Sequence, residues 1–339
     1  MTMIYSSLLN SLTSRRQALR SMAGLGALAT VGGAGLAACA DNTPVTGGTA
    51  GQAGARRVPI DFSDPAQNLR AFIKLTADLD PARETLGWFG GHIFAVLGED
   101  RPLVKLVGVE GFGVMRISPQ ADGSYRVFNR ELAFYKDPQT DEFIDVWTNP
   151  FTQEVVEVSP IHNMVVNAEV APITRMDFDG TMVEAPFTAP WSIQRDNALS
   201  LFEIHTAFPS PMKPEDWPRE SPGSVLRVSE VFQRSAKVAE LEDPDRSWAD
   251  YTGTWTRIGP WLPWMLQGQA PGHLFYRTFM DRTGSADRLP PRLRELAEKR
   301  YPEYFQAPGD ETWGHPNDSS YGVYMEENEP KPPLPTAGS

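Results

Sequence analysis

Glu203 and His205 stand two residues apart in a stretch of alternating apolar residues, "LSLFEIHTAF". Strand alternation puts Leu199, Leu201, Glu203, His205 and Ala207 on one face and Phe202, Ile204 and Phe208 on the other. A carboxylate beside an imidazole raises its pKa and fixes its tautomer, which suits a general acid or base working near neutrality. The same pair also reads as a structural histidine held by a carboxylate. His162 follows Pro160 where the chain leaves a strand, a place where residues at the mouth of a barrel meet ligands, and where a histidine can equally cap strand ends. In Tyr125 to Tyr135, alternation opposes Val127, Asn129, Glu131, Ala133 and Tyr135 to Phe128, Arg130, Leu132 and Phe134. Neither face is fully polar, so one of Glu131 and Arg130 points into enclosed space, where a charge requires a partner or a ligand. Arg257 shares a face with Trp255 and can stack or pair beside its indole. As chemistry, His205 with Glu203 would exchange a proton, His162 or Glu131 would act from the opposite side, and Arg257 would stabilise developing negative charge.

The aromatic block "WTRIGPWLPWMLQGQAPGHLFYRTF" supplies further candidates. Pro260 and Pro263 break the strand ladder and make Trp261 and Trp264 a rigid corner. Trp255, Trp261, Trp264 and His273 from this block, with Tyr135 and Trp147 upstream, are the expected ligand contacts. Asn149-Pro150 is explained by the turn it opens, because Asn bonds its own backbone two residues on. Other chemistries lack their signatures. Gly-x-Ser-x-Gly is absent, and no spacing selects two carboxylates for glycoside hydrolysis. The five histidines lie more than 40 residues apart and there is no Gly-rich nucleotide loop, so no metal and no cofactor are expected.

These side chains must be positioned by strands. From Leu86 to about Met280 the chain is a succession of short β-branched and aromatic runs punctuated by Pro, Gly, Asn and Asp. Predicted strands include Trp88 to Leu97, Leu103 to Val109, Gly113 to Ile117, Tyr125 to Tyr135, Ser200 to Phe208, Val225 to Phe232, Gly253 to Ile258 and Leu274 to Phe279. Tight turns at Asp137-Pro138, Asn149-Pro150, Asp179-Gly180 and Arg195-Asp196-Asn197 make the pairing antiparallel. About ten strands without intervening helices favour a mainly β fold, an antiparallel barrel of calycin or lipocalin type or a strongly curved sheet, since closure removes edges; a sandwich is the alternative. A helix capped by Asp64-Pro65 precedes the strands, and one opening at Leu289-Pro290-Pro291 follows them. The stretch Tyr321 to Tyr324 reads as a returning strand.

Length and charge frame this body. A chain of 339 residues with 41% hydrophobic composition can bury a substantial core, and a net charge of −12 without a Lys/Arg cluster argues against nucleic acid as a partner. The first 39 residues read as an export leader: Ser14-Arg15-Arg16 has the twin-arginine pattern, and Leu36-Ala37-Ala38-Cys39 looks like a lipobox whose cysteine would carry the lipid. The run after Met22 holds too many glycines for a retained membrane span. Ordinary cleavage nearby is the alternative to lipidation. Either route takes the protein to the periplasm, and the lipid anchor would be its only membrane contact. Residues 40–57 read as a flexible tether, 58–325 as one domain and 326–339 as a disordered tail.

From about residue 66 to 324 the sequence resembles the bacterial family known as domain of unknown function 1838. The resemblance rests on Arg130-Glu131, Tyr135 before Asp137-Pro138, Trp147-Thr148-Asn149-Pro150, Arg257, Gly259-Pro260-Trp261, Pro263-Trp264-Met265, Gly272-His273 and Tyr301-Pro302-Glu303-Tyr304. Both Asx-Pro turns depart from the family pattern Thr-Gly-Glu, reading Thr140-Asp141-Glu142 and Thr152-Gln153-Glu154 here. The resemblance implies domain boundaries and no activity. The expected function is binding of a hydrophobic small molecule, aromatic or terpenoid-like, with acid-base chemistry of isomerase, hydratase or lyase type. A non-catalytic lipocalin-like carrier and an envelope assembly protein are the competing classes.

Overall fold

The computed structural model describes residues 57–178 and 181–333. The twin-arginine leader, Cys39, the tether up to residue 56, the Asp179-Gly180 turn and the last six residues lie outside the described residues.

In chain order the strands are β1 (Thr85–Val96), β2 (Val104–Pro119), β3 (Tyr125–Lys136), β4 (Val146–Thr148), β5 (Val155–Glu157), β6 (Ile161–Asn163) and β7 (Ala168–Val170). Then follow β8 (Ile173–Phe178), β9 (Thr181–Pro186), β10 (Trp191–Gln194), β11 (Asn197–Pro209), β12 (Val225–Lys237), β13 (Thr252–Gly259) and β14 (His273–Arg282). The main sheet runs β10-β11-β12-β13-β14-β1-β2-β3-β6, with β7 also on β3, and its pairings are antiparallel. The expected antiparallel, mainly β architecture is therefore present. The only non-sequential pairing between its long strands brings β14 back beside β1. Among the described residues no pairing joins β10 to β6 or β7, so the ladder keeps two edges and no closed barrel forms.

One face of this sheet is the inner one: Tyr135 of β3, Phe232 of β12, Trp255 of β13 and Tyr276 of β14 share a single hydrophobic core. Glycine allows close strand contacts: a Cβ at Gly91 would lie 2.2 Å from the Arg277 carbonyl oxygen, and one at Gly253 2.2 Å from that of Gln233. Neighbouring backbones there approach more closely than any side chain permits.

Helix α1 (Pro65–Thr76) covers one end of the inner face. Asp64 caps it by accepting from the Gln67 amide, Pro65 starts it, and Phe72 packs between Phe187 and Phe202. Arg282 ends it, donating to the carbonyls of Leu75 (3.0 Å) and Ala77 (2.8 Å) that no helical amide reaches. The short α2 (Val238–Glu242) follows β12. Helix α3 (Pro291–Arg300) lies on the opposite face, where Leu293 and Ala297 pack with Leu86, Phe112, Val114, Leu132 and Phe134.

Four differences from the sequence reading have physical causes. The two strands expected at 103–109 and 113–117 are the single β2, because Gly111 fits against Ala133 and does not break the ladder. The expected strand at 321–324 is α4 (Ser320–Glu327), capped by the Ser319 hydroxyl accepting from the Gly322 amide. The domain also runs past 325: the Lys331 amide donates to buried Glu220 at 2.7 Å. Strands β6 and β7, three residues each, carry too little pattern to be seen without their partner β3. The two Asx-Pro turns are built alike. Asp137 and Asn149 each accept two backbone amides, and each turn exits through a residue at φ +62°, Asp141 and Gln153, where the family pattern has glycine.

Candidate functional site

The alternation of β12 sends Leu226, Val228, Glu230, Phe232, Arg234 and Ala236 inward. Two of these six are charged, which an apolar strand face tolerates only with partners or a ligand. Register then builds a transverse row: Glu230 faces Arg257 on β13, and Arg257 faces Tyr276 on β14. Arg257 Nε lies 3.6 Å from Glu230 Oε1, beyond hydrogen-bond range, and the guanidinium sits 5.2 Å from the Tyr276 ring centre. Three chemically distinct groups, a carboxylate, a guanidinium and a phenol, are thus held side by side on adjacent strands.

Aromatic side chains enclose this row. Trp255, one inward position along β13, packs against Phe89, Phe232 and Tyr276 at centroid distances of 5.5, 6.2 and 5.6 Å. After β13 the chain makes a 3-10 turn, Pro263–Met265, that presses Trp264 against Tyr135 (5.0 Å) and edge-on against Trp147 (5.5 Å). That turn is locked from two sides. Asn149 donates through Nδ2 to the Met265 carbonyl at 3.0 Å, and the Tyr321 hydroxyl of α4 donates to the Trp261 carbonyl at 2.8 Å.

The electrostatics of the row follow from burial and proximity. Burial raises the Tyr276 hydroxyl pKa, an effect that Arg257 only partly offsets, and it raises those of Tyr135 and Tyr321 likewise. These phenols therefore stay protonated. For Arg257 burial acts against the charge, but Tyr276, Glu230, Tyr321 and Tyr135 together outweigh it and the net shift is upward. Glu230 Oε2, Arg257 Nε and the Trp255 indole nitrogen are buried without a hydrogen-bond partner, and Tyr276 Oη and the Trp264 indole nitrogen, close to Arg257 and Tyr135 respectively, make no well-formed hydrogen bond. Buried polar atoms are nearly always satisfied, so this grouping makes the row the candidate site.

The residues selected by sequence divide clearly. Arg257, Tyr135, Trp255, Trp264 and Trp147 converge on this interior site. Trp261 is buried beside it with its indole N–H donating to the Ala270 carbonyl, so it closes the corner as core. Glu131 is inward and buried on β3, where the Asn163 amide approaches it at 3.4 Å. His162 is buried at the centre of the three-residue β6, and its ring bridges the Pro160 carbonyl (3.0 Å) and Glu327 of α4 (2.7 Å). That arrangement ties α4 to β6. His205 and Glu203 do pair, at 3.3 Å, but with side chains 61% and 50% exposed on the outer face of β11 they share no space with the interior row. His273 also falls in the outward phase of β14, alternating with inward Leu274 and Tyr276.

Sequence reasoning missed Glu230, Tyr276 and Tyr321. A signal for Glu230 existed, since it occupies the apolar phase of "VLRVSEVF". Tyr276 looked like one aromatic among many, and nothing local places Tyr321 beside a turn 60 residues earlier. Among the described residues no three His, Cys, Asp or Glu side chains converge to hold a metal ion, and no helix is long and apolar enough to cross a membrane.

Chemically, the row offers a carboxylate able to take a proton, a neutral phenol able to donate a hydrogen bond, and a fixed positive charge between them, inside an aromatic enclosure. Comparison with curated proteins finds no match. The family described as protein of unknown function, DUF1838, matches residues 82–328, a span that holds the whole polar row, the tryptophan turn and α4. The chain belongs to that family.

Proposed function

We propose that the protein is exported by the twin-arginine route, anchored through Cys39, and binds a hydrophobic small molecule against its inner face. The ligand is aromatic or terpenoid-like, and the chemistry on it is acid-base, of isomerase, hydratase or lyase type. The observation that carries this reading is the convergence of buried polar atoms that are unpartnered or poorly bonded on Glu230, Arg257, Tyr276, Trp255 and Trp264. Each such atom costs about 1–3 kcal/mol when left unsatisfied, and a ligand with an apolar body and one polar end would satisfy several at once. Rings of Tyr135, Trp255 and Trp264 would contact the body. The sheet then acts as an open-edged barrel whose mouth is stopped by the tryptophan turn and α4.

In this reading Glu230 takes and returns the proton. Tyr276, neutral because of its burial, hydrogen-bonds the oxygen on which charge develops, and Arg257 stabilises that charge. The surface pair His205–Glu203 has no part in it. The test presents the purified protein with aromatic and terpenoid alcohols and ketones, reading melting temperature and product formation by mass spectrometry. Stabilisation by one class with turnover lost in Glu230→Gln is expected. Stabilisation without turnover in the wild type assigns the carrier function instead, and no stabilisation by any apolar compound refutes the reading.

A further inference from the structure

Arg234 is 1% exposed, and Nε, Nη1 and Nη2 are all buried without an acceptor. Two ring faces lie against it, Phe232 at 5.2 Å and Tyr251 at 5.4 Å. The nearby guanidinium of Arg282 adds a second positive charge, felt across the gap between them; its Nη2 donates to carbonyls at the end of α1 and its Nη1 to the Thr85 hydroxyl, while its Nε is also buried without an acceptor. A buried guanidinium with five donors and no acceptor is among the costliest groups a core can hold.

The surroundings of Arg234 are shaped to receive something. Directly opposite on β11 is Ser200, itself wholly buried with an unpartnered hydroxyl. Tyr251, the ring against which Arg234 lies, also lines an open cleft of about 310 Å³ at the strand ends, together with the cations Lys237, Arg282 and Arg288 and the carboxylates Glu240, Asp250 and Asp281; Arg234 and Ser200 themselves do not reach it. A planar anion entering past Tyr251 would meet the guanidinium fork and the Ser200 hydroxyl together.

We infer that Arg234 and Ser200 form a carboxylate seat, and that the ligand of this protein is an apolar acid. The inference rests on the small-molecule reading above and names its substrate class. Arg234 stands four residues from Glu230 on the same strand face, about 13 Å along β12. Phe232 and Trp255, stacked at 6.2 Å, line the stretch between them. An acid of that length places its carboxylate on Arg234, its apolar body on Phe232 and Trp255, and its far end at Glu230, Arg257 and Tyr276. Arg fits this role because its fork matches a carboxylate bidentately.

The test compares 8-phenyloctanoate with 8-phenyloctanol by calorimetry, and acetate alone by melting temperature, in wild type, Arg234→Gln and Arg234→Lys. The acid is expected to bind at least about tenfold tighter than the alcohol, as charged hydrogen bonds provide. Arg234→Gln should bring the two to parity with the alcohol unchanged, and Arg234→Lys should fall between. Equal binding of acid and alcohol to the wild type overturns the seat and leaves the small-molecule reading standing. If neither binds, that reading fails, and acetate decides the seat separately: a melting shift present in wild type and lost in Arg234→Gln supports it, and no shift overturns it. A purely structural Arg234 would lower the melting temperature of Arg234→Gln without altering the acid-to-alcohol ratio, which also overturns the proposal. Should Arg234→Gln fail to fold, an Arg234→Lys ratio equal to wild type does the same.

Discussion

Replacing Glu230 and Arg257 singly and together tests whether the polar row is kept for ligand chemistry or for stability. The two side chains are 2% and 11% exposed and their nearest charged atoms are 3.6 Å apart. With an effective dielectric constant near 20, attraction at that distance is on the order of 4 kcal/mol. Removing one partner forfeits this and leaves the other charge buried alone, so Glu230→Leu and Arg257→Met should each lower the unfolding free energy by about 3–5 kcal/mol. The double variant removes both desolvated charges and offers apolar groups of similar volume, so it should be neutral or more stable than wild type. The imperfect contact favours this outcome, because Arg257 Nε and Glu230 Oε2 form no hydrogen bond with each other or with a neighbour while remaining out of water. Urea denaturation of the four proteins closes a double-mutant cycle, with an expected coupling of at least about 3 kcal/mol. Single variants within about 1 kcal/mol of wild type, or a double variant as unstable as the sum of its parts, would refute the reasoning: the first outcome means the charges are not desolvated, the second that the row is structural.

Two further outcomes follow from local geometry. Gln153 holds φ +62° at the position where the family pattern has glycine, and its side chain makes only an exposed contact with the Pro150 carbonyl. Gln153→Gly should therefore raise the urea midpoint, by about 0.5–1 kcal/mol of stability; a loss would show that the side-chain contact outweighs backbone strain. Burial pushes the Lys74 ammonium down to about 8 from its ordinary 10.5. Between those values the unfolded chain binds more protons than the native one, so stability should rise with pH through this window. Above about pH 10 the buried phenols of Tyr135, Tyr276 and Tyr321, raised in the fold, reverse the slope because only the unfolded chain releases their protons. Denaturation midpoints from pH 7 to 11 in wild type and Lys74→Met check both limbs; an unaltered rise in Lys74→Met would remove Lys74 as its cause.

What the sequence determined by itself is local. Strand alternation fixed which residues share a face, and it correctly paired Trp255 with Arg257 and Glu203 with His205. Cap chemistry located α1, and Asx chemistry located the turns at Asp137 and Asn149, because those signals depend on neighbours within a few residues. Family resemblance marked the span that the tertiary structure organises.

Which face is buried, and what meets across it, only the tertiary structure decided. Alternation is symmetric: it separates the His205 phase of β11 from the Phe202 phase without saying which looks inward. The cover of α1 turned the Phe202 side toward the core and left His205 to solvent. Glu230, Arg257 and Tyr276 become one row through register among three strands, and Asn149 reaches Met265 across 116 residues of chain. Such meetings depend on inter-strand register and packing, quantities summed over the whole fold, and no short stretch of sequence carries them.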